Sequence, residues 1–219
     1  MLLNFSCVTR WWLELLWLDL EHTWGWSKDT RRHAHLYADA RGDPPRIAAV
    51  LFIDGQTYHT DYAPSKEIMD MFVARRDNQI MGQELLSIAL GLCTFGHLLQ
   101  SRKLVIFSDN VGAQQATSKG RARSFDHTCI AHCLWVKLAK PKAEATVERV
   151  PTKENIADLP SREEYDLLLK IGSSWIEPIL DKAFCKPSAW DALAIPGVLC
   201  NKPGGVRIAS QDGLAVASV

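Results

Sequence analysis

The stretch LVIFSDN, residues 104–110, decides how the rest of the chain is read. Four apolar residues, Leu104 to Phe107, predict a strand buried on both faces, as central parallel strands are. Ser108, Asp109 and Asn110 close it, and Gly112 follows. A carboxylate beside such a strand costs free energy unless a cation or hydrogen bonds compensate. The question is what stands opposite Asp109.

Working outward, HAHLYADA (33–40) predicts a strand and RGDPP (41–45) a turn. RIAAVLFIDG (46–55) predicts a second strand that closes on Asp54-Gly55, a strong hairpin signal, and QTYHTDY (56–62) returns as a third. After a polar connector (63–78), Met81, Leu85, Ile88, Leu92, Phe95 and Leu99 recur at helical spacing. Gly82, Gly91 and Gly96 on that helix leave room for close packing on a sheet. Beyond residue 108, NVGAQQATSKG (110–120) predicts a short helix ended by Gly120, and 124–140 a longer one. AEATVERV (143–150) predicts a fifth strand stopped by Pro151. A capping box from Ser161 to Glu164 and a stop at Gly172 predict a helix over 162–171. The order β-β-β-α-β-α-α-β-α describes an α/β domain with a mixed sheet. Right-handed crossovers set its first and fourth strands side by side and parallel. Ligands of such sheets sit beyond the carboxyl ends of the parallel strands.

That end of the sheet is acidic. Asp39 ends the first strand and Asp109 the fourth, and neighbouring strands lie ~4.8 Å apart. Two carboxylates there do not both stay ionised comfortably without cations. Glu84 lies on the long helix between the core positions Met81 and Ile88, and Asp158 follows the fifth strand. Singly, each has an ordinary use as a turn former, a cap or a solvated helix residue. Jointly, the topology gathers them at one place. Hard divalent cations take such oxygen ligands, and two of them ~3.5–4 Å apart activate a water and stabilise the leaving oxygen of a phosphodiester.

LYADA (36–40), the Glu84 helix, VIFSDN (105–110) and ERVPTKENIADLPSR (148–162) resemble the ribonuclease H domain of retroelement reverse transcriptases, gypsy-type and DIRS-type above all. NIADLPSR is the most specific piece, because those domains close on a similar Asn-x-Ala-Asp-x-x-Ser-Arg run. WWLELL (11–16) resembles the segment joining polymerase to ribonuclease H. The resemblance spans roughly 11–180. It implies a ribonuclease H-like fold, with a five-stranded mixed sheet of order 3-2-1-4-5 flanked by helices. It implies endonucleolytic cleavage of the RNA strand of an RNA–DNA hybrid with two Mg²⁺, Mn²⁺ being a substitute. It also implies Asp39, Glu84, Asp109 and Asp158 as catalytic, metal-binding acids. No polymerase motif is visible, so a polymerase domain would act in trans or in a full-length element. The chain departs from the pattern at Arg41-Gly42-Asp43-Pro44-Pro45 after the first acid, and at Pro160 in the closing helix. Thr152, Lys153 and Glu154 stand where cellular ribonucleases H carry a loop histidine.

Lys119, Arg121 and Arg123 cluster between two helices, where phosphate contact with the hybrid is expected, and Asn110 is placed to touch the same strand or to cap the next helix. Arg162 is expected to pair with Asp158. His127, Cys129, His132 and Cys133 share one helix, which seldom supplies four tetrahedral ligands, so core packing explains them better than zinc. Ser108 has no triad arrangement with a histidine.

Lys+Arg and Asp+Glu both number 25, which removes any global electrostatic pull on a polyanion and leaves only local patches. Six cysteines without a CxxC pair imply reduced thiols and an intracellular reducing compartment, cytoplasm or nucleus. Residues 1–30 hold Trp11, Trp12, Leu15, Leu16 and Leu18 at amphipathic-helix spacing, interrupted by Arg10, Glu14 and Asp19, which argues against a membrane span. The expected organisation is therefore a connection-like segment (1–30), a ribonuclease H-like domain (31–182) and a Gly/Pro-rich tail (183–219). A competing reading keeps the fold as a catalytically degenerate nucleic-acid-binding or interaction module. Exonucleases of this fold place Asp-x-Glu on the first strand, where this chain has Asp39-Ala40-Arg41. Integrases take a late-helix Glu as their last acid, whereas Glu84 comes second.

Overall fold

The structure, a computed structural model, describes residues 31–181 and 184, except 73–75, 77–78 and 140–141. The expected N-terminal helix and, apart from Phe184, the tail lie outside the described residues. Among the described residues no helix is long and apolar enough to cross a membrane.

Strands β1 (His33–Gly42), β2 (Pro45–Ile53) and β3 (Gln56–Tyr62) form the antiparallel meander. Asp54 and Gly55 both take positive φ (49° and 75°), the twist a two-residue hairpin requires. Helix α1 (Lys66–Met69), capped by Ser65, sits in the connector that the sequence leaves as irregular. Helix α2 (Ile80–Phe95) follows and ends in a 3₁₀ turn over Gly96–Leu98, one turn short of the expected Leu99. Then come β4 (Lys103–Ser108), α3 (Val111–Lys119), α4 (Phe125–Ala139) and β5 (Glu144–Arg149).

The sheet has the order 3-2-1-4-5 expected from the sequence, with β1 and β4 parallel at its centre. One correction is a sixth strand: β6 (Ser174–Trp175) pairs parallel with β3 and extends the sheet to β5-β4-β1-β2-β3-β6. A second correction concerns β4, which is not buried on both faces. Leu104, Ile106 and Ser108 are buried, while Val105 and Phe107 are half-buried. Their face is covered by side chains of β1, with Tyr37 stacked on Phe107 at 4.6 Å and His35 edge-on at 5.8 Å.

A third correction is at the end of the domain. In place of one helix over 162–171 there are two short ones, α5 (Asp158–Ser161) and α6 (Asp166–Lys170). Glu163 takes φ +65°, which no α-helix accommodates. Its carboxylate is held by Arg41 at 3.2 Å and Arg46 at 2.7 Å, so tertiary ion pairs override the local capping signal. Ser161 does not cap a helix.

Alternation along β1 sends Ala34, Leu36, Ala38 and Ala40 into the main core, with Leu85, Ile88, Leu92 and Phe95 of α2 and Ile130, Cys133 and Leu134 of α4. The opposite face carries a smaller cluster in which Val50 meets Ala157 and Leu168 of the α5–α6 region. Helix α2 is buried on nearly every side because the sheet, α3 and α4 surround it. Gly91 makes this possible, since a Cβ there would lie 2.8 Å from Leu36 Cδ1 and 3.1 Å from the Ala49 Cβ. Gly82 serves a contact with Phe72 instead, and Gly96 meets nothing within 4 Å. Gly91→Val is therefore expected to overpack the helix–sheet seam and cost about 1–3 kcal/mol in urea unfolding. Gly96→Ala, at ordinary helical φ and in open space, is expected to be neutral or slightly stabilising in the same measurement.

Candidate active site

β1 and β4 pair in parallel register from His33↔Lys103 to Tyr37↔Phe107. Carried two residues further, that register sets Asp39 opposite Asp109. β1 outruns β4 and still pairs there with β2, Asp39 against Ala48, so Asp39 sits within a strand and Asp109 just past the end of one. Glu84 comes in from the second turn of α2, whose close seat on the sheet at Gly91 fixes its approach. One oxygen of each of these three carboxylates lies within 4.8 Å of the others. Asp39 and Glu84 are each only 4% exposed.

The neighbours of Asp39 explain how it is held. Asn155 Nδ2 donates to Asp39 Oδ1 at 3.2 Å and to the Ala38 carbonyl at 3.1 Å. The Ser161 hydroxyl donates to Asp39 Oδ2 at 2.6 Å and also lies 2.9 Å from the Asp158 carbonyl. Asn155 in turn accepts from the Ala157 N–H at 3.3 Å. Sequence reading gives Asn155 no role and makes Ser161 a helix cap, whereas both hold Asp39; their place as polar positions of NIADLPSR is the available signal. Glu84 takes one backbone hydrogen bond from Ala40, while its Oε2 is buried with no hydrogen-bond partner.

The electrostatics follow from burial and like charge. Burial pushes the Asp39 carboxyl up to about 7; the Ser161 hydroxyl opposes this, Asp109 and Asp158 add to it, and Arg162 opposes it weakly. Burial pushes Glu84 well above the ordinary carboxylate range, with the charges of Asp39 and Asp109 adding, the Ala40 N–H opposing and Asp158 adding least. Two buried acids raised in this way beside a third would be relieved by a cation between them. The donor set fits a hard divalent ion: all oxygen, three carboxylates, and one orphaned buried oxygen at Glu84.

Asp158 stands outside this trio. It opens α5 and its Oδ1 accepts from Arg162 Nε at 2.8 Å, the pairing expected from the sequence. Arg41, in the departing turn, is committed to Glu163 and to the Pro44 carbonyl at 3.0 Å. Thr152, Lys153 and Glu154 form an exposed 3₁₀ turn. Asn110 caps α3, its Oδ1 accepting from the Ala113 N–H at 3.0 Å. Lys119, Arg121 and Arg123 are exposed, and the first two border a cavity of about 320 Å³ with Gly120, His132 and Trp135. Among the described residues the acidic trio is the one group of three or more potential metal ligands, and the His127, Cys129, His132 and Cys133 helix forms none. Cys129 and Cys133 are buried instead in the main core.

No protein-family profile and no curated protein matches the sequence. Solved structures similar in shape include the N-terminal RNase H domain of a Mycobacterium tuberculosis protein, solved fused to maltose-binding protein. It is 15% identical with a TM-score of 0.46, over 64% of this chain and 99% of that one. RNase H1 from Halobacterium salinarum is 14% identical with a TM-score of 0.43, over 62% and 98%. LC9-RNase H1, a type 1 enzyme with the type 2 active-site motif, is 12% identical with a TM-score of 0.37, over 76% and 87%.

The raised Asp39 gives a signed expectation. A carboxyl whose pKa is higher folded than unfolded costs nothing while protonated in both states, and destabilises increasingly as pH rises from about 4 through its folded value of about 7. In chelator, urea unfolding should show wild type losing stability relative to Asp39→Asn between pH 4 and 8, by an amount on the order of 4 kcal/mol. Millimolar Mg²⁺ at pH 8 should recover most of the deficit in the wild type and little in the variant.

Proposed function

We propose that this protein is a divalent-metal-dependent endonuclease of the ribonuclease H type, cutting the RNA strand of RNA–DNA hybrids. The observation that carries the reading is the trio Asp39, Glu84 and Asp109, the first two buried, with Glu84 Oε2 lacking any hydrogen-bond partner. It lies at the carboxyl end of the central parallel strands, where ligands of such sheets bind.

A bound pair of Mg²⁺ ions, or Mn²⁺ in their place, would supply an activated water and charge stabilisation at the leaving oxygen. The chain's own part is to hold the ligands. Asn155 and Ser161 fix both oxygens of Asp39, and the β1–β4 register sets Asp109 against it. The Ala40 N–H orients Glu84 and leaves Oε2 as the open donor. Asp158 is the fourth acid, reaching this set once its side chain leaves Arg162. The hybrid's backbone would run from this end of the sheet toward Lys119, Arg121 and Arg123, whose exposed cations suit phosphates.

Retroelement ancestry is supported by the runs LYADA, VIFSDN, NIADLPSR and WWLELL. On this reading the domain works with a polymerase domain, in trans or in a full-length element, in a reducing intracellular compartment.

Purified protein should nick a labelled RNA–DNA hybrid internally in Mg²⁺, on the RNA strand only, and leave duplex DNA intact. Asp109→Asn should lower the rate by more than about 100-fold, a larger loss than removal of a supporting outer contact. No cleavage, or cleavage indifferent to chelator and to Asp109→Asn, overturns the reading in favour of a degenerate nucleic-acid-binding module.

A further inference from the structure

We propose that Arg162 is a positioning residue that withholds Asp158 from the metal cluster, so that the fourth carboxylate joins only when a cation displaces the Arg162 ion pair. This rests on the reading of Asp39, Glu84 and Asp109 as a metal site.

Three observations converge. Asp158 is anchored one hydroxyl away from the cluster, because Ser161 Oγ is 2.6 Å from Asp39 Oδ2 and 2.9 Å from the Asp158 carbonyl. Its charge already acts on both Asp39 and Glu84. Yet its Oδ1 is turned to Arg162 Nε at 2.8 Å, four residues along. On this proposal, release of the Asp158 side chain from Arg162 separates a three-carboxylate site from a four-carboxylate one.

The brake is weak by construction. The Arg162 side chain is 54% exposed and that of Asp158 26%, so water screens the pair. Exposed ion pairs at this helical spacing change an equilibrium by roughly twofold. A dication meeting three carboxylates overcomes such a brake easily. Arg162, once released, presents a guanidinium fork at the mouth of the cluster, suited to a phosphate oxygen pair.

Calorimetric titration of Mg²⁺ at pH 8, without nucleic acid, tests this on wild type, Arg162→Gln, Arg162→Lys, Asp158→Asn and the Asp158→Asn/Arg162→Gln double variant. Arg162→Gln should tighten Mg²⁺ binding by about twofold. Arg162→Lys, which keeps the cation, should stay near wild type. In the Asp158→Asn background the gain from Arg162→Gln should largely vanish. An unchanged or weakened affinity in Arg162→Gln overturns the proposal, as does an equal gain in both backgrounds, which would make Arg162 a mere background charge. Wild-type binding that Asp109→Asn abolishes but Arg162→Gln leaves untouched overturns this inference alone. No Mg²⁺ binding by wild type overturns the metal-site reading, and this inference with it.

Discussion

Three carboxylates within 4.8 Å, two of them buried, is the constraint around which this fold is arranged. Left alone, like charges out of water would push the elements that carry them apart. The structure answers with rigidity and with a few well-aimed donors. β1 is paired with β4 as far as Tyr37 and with β2 through Asp39, which fixes the backbone that carries Asp39. α2 is clamped to the sheet where Gly91 meets Leu36 and Ala49, which fixes the helix that carries Glu84. Asn155, Ser161 and the Ala40 N–H offset part of the repulsion. What they leave over falls on Glu84 Oε2, which is buried with no hydrogen-bond partner.

The segment that closes over Asp39 is itself held from a distance. Asp61 on β3 binds Arg46 on β2, Arg46 and Arg41 both bind Glu163, and Tyr165 hydrogen-bonds to Asp61. This network crosses from the sheet to the turn between α5 and α6. It keeps Glu163 in its left-handed conformation and so ends α5 at Ser161. The Ser161 hydroxyl is thereby set over Asp39 instead of capping a continuing helix. The Arg41-Gly42-Asp43-Pro44-Pro45 departure after the first acid thus supplies an arm of the scaffold.

Much of the sheet was legible because its signals are local and strong. The Asp54-Gly55 hairpin, the helical spacing from Met81 onward and the apolar run of β4 each announce an element. The acids were legible as strand-end residues once β1 and β4 were neighbours. The rest failed for identifiable reasons. β6 is two residues long, too short for any periodicity, and exists because it meets β3. The break at Glu163 contradicts a sound capping box, because its cause lies more than a hundred residues earlier in Arg41 and Arg46. Asn155 and Ser161 carry no chemistry of their own, so nothing in their local sequence says which distant carboxylate they hold. The half-buried face of β4 depends on the rings of Tyr37 and His35 from another strand, which a run of apolar letters cannot encode.

The two margins of the sheet, β5 and β6, are protected in different ways. A bare strand margin is a template on which foreign chains polymerise. On one margin β5 reads EATVER, with Glu144, Glu148 and Arg149 exposed, and formal charges deter further strand addition. On the other, the Ser174–Trp175 bridge occupies the centre of β3, and Ile176 donates its N–H to the His59 carbonyl. So short a strand offers an incoming chain almost nothing to register against. The sixth strand adds little to the fold's interior, yet it occupies the middle of the edge that β3 would otherwise present to an incoming chain.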